Sequence, residues 1–189
     1  MRLVASAPTA ALRQAVFGGD DDLDEGGLRA ARALTAARTG RHPLGCADEW
    51  LSGPARAALQ TASAGGRQPT VVAALADCGY GRWSGRTLGD VAAAEPEAVH
   101  AWLRDPDAAP HGGESITALT ARVAAWLGSR AAHGARAVAF THPAVVRAAL
   151  VHALGLPPTA FFQLDVAPLS VTRLRWRSGR WTLYLPPIG

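Results

Sequence analysis

Apolar positions along the chain fall into two periods, one of about two and one of about 3.6 residues, and they alternate from the first residue to the last. Arg2 to Ser6 is a short apolar run that stops at Ala7-Pro8-Thr9, which predicts a buried strand followed by a loop. From Glu25 to Arg38, Leu28, Ala31, Leu34 and Thr35 recur at helical spacing until Gly40 and Pro43 end the pattern. Ser52-Gly53-Pro54 reads as the start of a second helix over Ala55 to Ala62, with proline in its first turn and Gly65-Gly66 at its end. Val71 to Leu75 predicts a second buried strand. Leu88 to Ala109 holds short helical pieces broken by Pro96, Pro106 and Pro110, and reads as a cap or lid. Ile116, Leu119, Val123 and Leu127 share one face of a helix over Glu114 to Ala132, which leads into an apolar strand at Ala137 to Phe140. Val145 to Leu154 is a further helix closed by Gly155 and Pro157, and the tail alternates as two strands around Ser178-Gly179. Strands alternating with helices predict an α/β domain, a three-layer α/β/α sandwich around a central, mostly parallel sheet. One domain over 1–189 is expected, with the lid-like insertion at about 88–110.

Composition narrows the chemistry. The chain has 19 basic residues, all Arg, with neither Lys nor Asn, which excludes Schiff-base chemistry and the P-loop lysine. That bias, with abundant Ala, Gly and Pro, is the signature of a GC-rich bacterial genome, so the formal charge of +4 does not indicate a nucleic-acid partner. Arg173, Arg175 and Arg177 share one face of a strand by alternation and read as the charged protection of an edge strand. No apolar run approaches the ~20 residues of a membrane span, and the N-terminus lacks a secretion signal. Two cysteines, Cys46 and Cys78, cannot build a disulfide framework or a four-thiolate zinc site and fit a reducing cytoplasm.

Three predicted strand ends carry polar groups: Ser6 and Thr9, Asp77 and Cys78, and Thr141 and His142. Ligands of open α/β sheets bind at such ends, and an Asp and a His converging there suit general acid/base work. A structural, hydrogen-bonded histidine fits the same position. Gly79-Tyr80-Gly81-Arg82-Trp83-Ser84-Gly85 is glycine-rich without the dinucleotide-binding pattern and reads as a tight loop packed by Tyr80 and Trp83. Asp20-Asp21-Asp22, with Asp24 and Glu25, lacks calcium-loop spacing and reads as a solvated loop before a helix.

The ordered segments resemble the histidine phosphatase superfamily, the phosphoglycerate-mutase-like proteins, over nearly the whole chain. The matching pieces are Met1-Arg2-Leu3-Val4, Leu23-Asp24-Glu25-Gly26-Gly27, Ser52-Gly53-Pro54 with Gln60-Thr61-Ala62, and Gly81 to Gly85. Gly112-Gly113-Glu114-Ser115, Thr141-His142 with Val146-Arg147, and Leu154-Gly155-Leu156-Pro157 complete them. The resemblance implies a phosphoglycerate-mutase-like fold. It also implies departures at the site. Where the family carries Arg-His-Gly, with the phosphorylated His, this chain reads Ser6, Ala7 and Pro8. The family's second phosphate-binding Arg falls on Ala57, its acid on Asp77, its second His on His142, and the following Gly on Pro143, which has no N–H.

A phosphoryl pocket works by fixed positive charge and N–H donors aimed at the equatorial oxygens, and these positions have lost them. The expectation is a divergent member without phosphohistidine chemistry that binds a small non-phosphorylated ligand. The alternatives are an enzyme repurposed to acid/base chemistry through Asp77 and His142, and residual phosphatase activity by an unusual route. Ser6, Ala7, Thr9, Cys78, Arg82, His111, Glu114 and Thr141 are the further candidate contacts. No metal or organic cofactor, nucleic acid or membrane partner is expected, and a homodimer is compatible with the sequence. Asp77 and His142 are expected to share one pocket, with Ala7 at its floor and Gly112 to Ser115 on its rim.

Overall fold

The computed structural model describes residues 1–36 and 44–185. A six-stranded sheet runs in the order β3-β2-β4-β1-β5-β6, built from β1 (Arg2–Ala5), β2 (Glu49–Ser52), β3 (Thr70–Val71), β4 (Ala137–Thr141), β5 (Val171–Arg177) and β6 (Arg180–Leu183). The pairs β3–β2, β2–β4 and β4–β1 are parallel, and β5 and β6 add antiparallel. Helices cover both faces: α1 (Ala10–Arg13), α2 (Glu25–Ala36), α3 (Arg56–Ser63), α4 (Leu88–Ala94), α5 (Pro96–Arg104), α6 (Ile116–His133) and α7 (Pro143–Leu154). Strand alternation sorts the core into layers. Leu3, Ala5, Leu51, Ala137 and Ala139 pack with α6 and α7, whereas Val4, Trp50, Val138 and Phe140 pack with α2, α3 and Leu44. The sandwich expected from the periodicity is therefore present, as an α/β fold with a mostly parallel mixed sheet.

Several elements differ from the sequence expectation. Val71 to Leu75 is not a buried strand: β3 is a two-residue edge strand with Val71 54% exposed, and Ala73–Leu75 turns into a 3-10 helix. The run is apolar, but two of its five residues are alanine, which has little preference for extended backbone, and Leu75 alone in it is fully buried. The strand β2 lies beside β4, in a segment the sequence presents as the approach to the Ser52-Gly53-Pro54 turn. Pro54 stands before the cap Ala55 rather than within the first turn of α3. The arginine-bearing β5 is not at the edge, since its first half pairs with β1 and the Ser178-Gly179 turn folds β6 outside it. Residues 37 and 38 of the helix expected from Glu25, and its stop at Gly40 and Pro43, lie outside the described residues.

A separate aromatic cluster, Phe17, Trp83, Val91, Val99 and Trp102, joins α4 and α5 to the segment after α1. The Phe17 ring lies 5.2 Å from Trp83 and 5.5 Å from Trp102, distances at which aromatic pairs attract beyond their buried area. Among the described residues, no helix is long and apolar enough to cross a membrane.

Candidate functional site

Parallel pairing puts the carboxyl ends of β1 and β4 on the same sheet edge, in register from Arg2 with Val138 to Ala5 with Thr141. The pairing continues one step further, because the Ser6 N–H donates to the Thr141 carbonyl at 2.7 Å. His142 then caps α7 in an extended conformation and Pro143 takes its first position, where a missing N–H costs the helix nothing. Asp77 arrives by a different route from a strand end. The Thr141 hydroxyl donates to Leu75 O at 2.7 Å, holding the 3-10 turn against β4, and Gly53 lets that turn approach because a Cβ there would collide with Leu75 O. Arg122 donates to the carbonyls of Ala74, Ala76 and Asp77 and pairs with both oxygens of Glu114. The backbone that presents Asp77 is thereby fixed from two sides.

Asp77 Oδ2 lies 3.3 Å from His142 Nδ1, and Asp77 Oδ1 accepts the Cys78 N–H at 2.8 Å. Burial pushes the Asp77 carboxyl above the usual carboxylate range, opposed by His142, the Cys78 N–H and Arg122. His142 Nε2 is buried and has no hydrogen-bond partner among the described residues. Both side chains line a cavity of about 350 Å³. Ser6, Ala7 and Thr9 come to it from the end of β1, Ala57 from α3, and Pro143, Ala144 and Arg147 from one face of α7. Leu12, Val16, Phe17, Leu88 and Val166 make its walls apolar. The charged groups of the lining are Asp21, Asp77 and Arg147, with the His142 imidazole beside them, and Arg147 already donates its Nε to Leu164 O at 2.8 Å. The amides at the end of β1 are also engaged, since the Ala7 N–H donates to Thr61 Oγ1 at 3.0 Å.

The remaining expected contacts lie away from this cavity. The Thr141 hydroxyl is committed to Leu75 O. Cys78 is buried with its Sγ 3.4 Å from Glu114 O, and burial pushes its thiol up to about 12, so it is no thiolate at neutral pH. Glu114 is held by Arg122. The Glu114 N–H bonds Gly79 O at 2.7 Å, so Gly112 to Ser115 packs beneath the Gly79–Gly81 turn rather than on the cavity rim. Arg82 pairs with Glu95 and the Pro110 carbonyl. His111 accepts the Gly113 N–H at its Nδ1 and sits 5.0 Å from the Trp83 ring, and burial pushes its imidazole below the usual range. The Asp20-Asp22 loop is engaged by α3 through the Arg56 N–H and side chain and Gln60. Among the described residues no three His, Cys, Asp or Glu side chains gather as a metal site.

The rim comes instead from residues 11–19 and from Arg147, which the sequence reading did not single out as site residues. Arg147 had a signal: positions 143, 144 and 147 share one helical face beginning beside His142. The stretch 11–19 had none, because its apolar residues keep no period.

The sequence model of the histidine phosphatase superfamily (branch 1) matches residues 7–186. The chain belongs to the histidine phosphatase superfamily. No curated protein sequence matches it. Among solved structures, the chain is similar to a mycobacterial glucosyl-3-phosphoglycerate phosphatase in complex with VO3, with 26% identity, 98% of this chain and 96% of that chain covered, and a TM-score of 0.84. It also shares the fold of the Shigella flexneri alpha-ribazole phosphatase, at 22% identity, 98% and 95% coverage and a TM-score of 0.82. A phosphoserine phosphatase mutant of Entamoeba histolytica in complex with phosphoserine has 20% identity, 96% and 93% coverage and a TM-score of 0.84. The matched range thus spans the helices of both sandwich faces.

Proposed function

We propose that this superfamily member does not run phosphohistidine chemistry and binds a small, non-phosphorylated molecule in the cavity, with Asp77 and His142 as its polar contacts. The charged lining carries this reading: two carboxyls, Asp21 and Asp77, stand against one guanidinium, Arg147. A phosphomonoester dianion needs an excess of fixed positive charge and free N–H donors. By resemblance, the positions that supply them in the family are Ser6, Ala7, Ala57 and Pro143, all of which line the cavity here with a hydroxyl, two methyls and a ring. The Ser6 and Ala7 amides are spent within the protein. Apolar walls favour an uncharged ligand. On this reading the chain acts as one domain, with Leu88 the contribution of the 88–110 stretch to the cavity wall, and the free thiols of Cys46 and Cys78 suit a cytoplasmic setting.

A second reading, acid/base catalysis on that ligand, is favoured by His142 Nε2, which is buried, without a partner among the described residues and backed by Asp77 on the opposite nitrogen. Calorimetry with inorganic phosphate and orthovanadate, together with turnover of p-nitrophenyl phosphate, tests the proposal. Neither anion should bind at millimolar concentration, and turnover should stay at background. Vanadate binding that is lost in His142→Ala would overturn it in favour of a working phosphoryl site.

A further inference from the structure

We propose that Ser6 is the nucleophile of a Ser6–His142–Asp77 arrangement that cleaves small, uncharged carboxylic esters. The proposal rests on the reading that the cavity takes a small non-phosphorylated molecule at Asp77 and His142, and adds to it a reaction and a substrate class.

Three hydroxyls line the cavity, those of Ser6, Thr9 and Tyr80. Thr9 Oγ1 accepts the Leu12 N–H at 3.1 Å as the cap of α1, and burial pushes the Tyr80 phenol well above its usual range. Among the described residues Ser6 Oγ has no hydrogen-bond partner, which leaves it free for a reacting group. It also stands in the right strand position. Ser6 follows Ala5 and His142 follows Thr141 in one register, so the two residues are neighbours across the parallel pair β1–β4. Both continue the alternation of Val4 and Phe140, which places them on the same face. Asp77 sits at His142 Nδ1, which favours the proton on that nitrogen and leaves the buried Nε2 as the base. The proposal requires Ser6 to turn about its first side-chain torsion to reach His142 Nε2, and such contacts commonly tighten only around substrate.

An oxyanion donor is present as well. The Ala144 N–H is at the second position of α7 and has no backbone partner among the described residues, while Ala144 itself lines the cavity. Leu12, Val16 and Phe17 offer an apolar wall to an acyl or alkyl group, and the carboxyls of Asp21 and Asp77 discourage an anionic one.

The reaction balances without a co-reactant other than water. Ser6 Oγ bonds to the ester carbonyl carbon as His142 Nε2 takes the hydroxyl proton, and the carbon–oxygen bond to the alcohol breaks as His142 returns that proton to the leaving oxygen. Water then adds to the acyl-serine with His142 as base, and the carboxylic acid leaves as the Ser6 hydroxyl is restored.

The test uses the unmodified chain, an alkyl fluorophosphonate and p-nitrophenyl butyrate. The fluorophosphonate should add to one site that peptide mass mapping assigns to Ser6, and labelling should vanish in His142→Gln. Ser6→Ala should lower kcat/KM for p-nitrophenyl butyrate by about 100-fold or more while keeping a cooperative unfolding transition. Label on another residue, no label, or hydrolysis that survives Ser6→Ala overturns the nucleophile, and the mapping does not depend on any variant folding. The butyryl amide of 4-nitroaniline, titrated into the unmodified chain, separates the two levels of the argument. Binding of that amide without labelling removes the serine proposal and leaves the small-molecule reading standing, whereas no amide binding with vanadate bound removes both.

Discussion

Asp77 is a carboxyl held where water is scarce, and the consequences of that are local and measurable. Burial pushes its proton affinity up from an ordinary value of 3.8, while His142, the Cys78 N–H and Arg122 pull it back and Glu114 adds to the rise. The folded chain therefore binds this proton more tightly than the unfolded chain does. In linkage terms the carboxyl's contribution to stability is fully present below the unfolded pKa and is lost as pH rises through the elevated folded value. Asp77→Asn removes that dependence and leaves the other groups in place. We expect urea-derived stability of the native chain to fall with rising pH, above the ordinary carboxylate pKa, more steeply than that of Asp77→Asn. Coincident slopes for the two proteins would show that the carboxyl is not held against its ionisation.

At the scale of elements, α3 does two jobs through one residue. Thr61 Oγ1 accepts the Ala7 N–H at 3.0 Å and donates to Ala57 O at 2.6 Å, tying the end of β1 to the helix that closes the cavity. Thr61 is fully buried, so Thr61→Val keeps the shape but strands the Ala7 amide. A loss of about 1 to 3 kcal/mol in urea unfolding is expected, and an unchanged midpoint would mean the Ala7 amide finds another partner. The elements that frame the site differ in how far the sequence announces them. Leu119, Val123 and Leu127 repeat at helical spacing and mark α6, and Ala137 to Phe140 is an uninterrupted apolar run that marks β4. By contrast β2 is four residues long beside a Gly-Pro turn, and Val71 to Leu75 mimics a strand while only its end is buried. Asp77 and His142 do meet, yet through the Thr141–Leu75 hydrogen bond and the Arg122 clamp rather than as two parallel strand ends. Long-range polar bonds of that kind leave no periodic trace, and neither does the rim at residues 11–19.

On the proposed reading, fold and chemistry separate at the scale of the whole molecule. A backbone similar to that of a mycobacterial phosphatase, with a TM-score of 0.84, carries a cavity with apolar walls in which two carboxyls stand against one guanidinium. The features that distinguish a phosphoryl pocket act together, since a nucleophile without the charge clamp meets an unfavourable field, and a clamp without the nucleophile only binds. By resemblance, the family's nucleophilic and phosphate-binding positions fall on Ser6, Ala7, Ala57 and Pro143, contributed by three elements whose positions are set by the sheet register and by α3. Ala7→His alone should therefore leave p-nitrophenyl phosphate turnover at background. The combination Ser6→Arg, Ala7→His, Ala57→Arg and Pro143→Gly should produce orthovanadate binding that exceeds the sum of the single changes, because the groups share one anion. The new arginines enter a cavity already bearing Asp21 and Asp77, whose carboxyls compete with a phosphate for them. That competition sets the expected order: adding Asp21→Asn to the fourfold variant should strengthen vanadate binding further, by removing one of the two carboxyls. Robust phosphatase activity from Ala7→His alone would place the decisive difference in the nucleophile and not in the field around it.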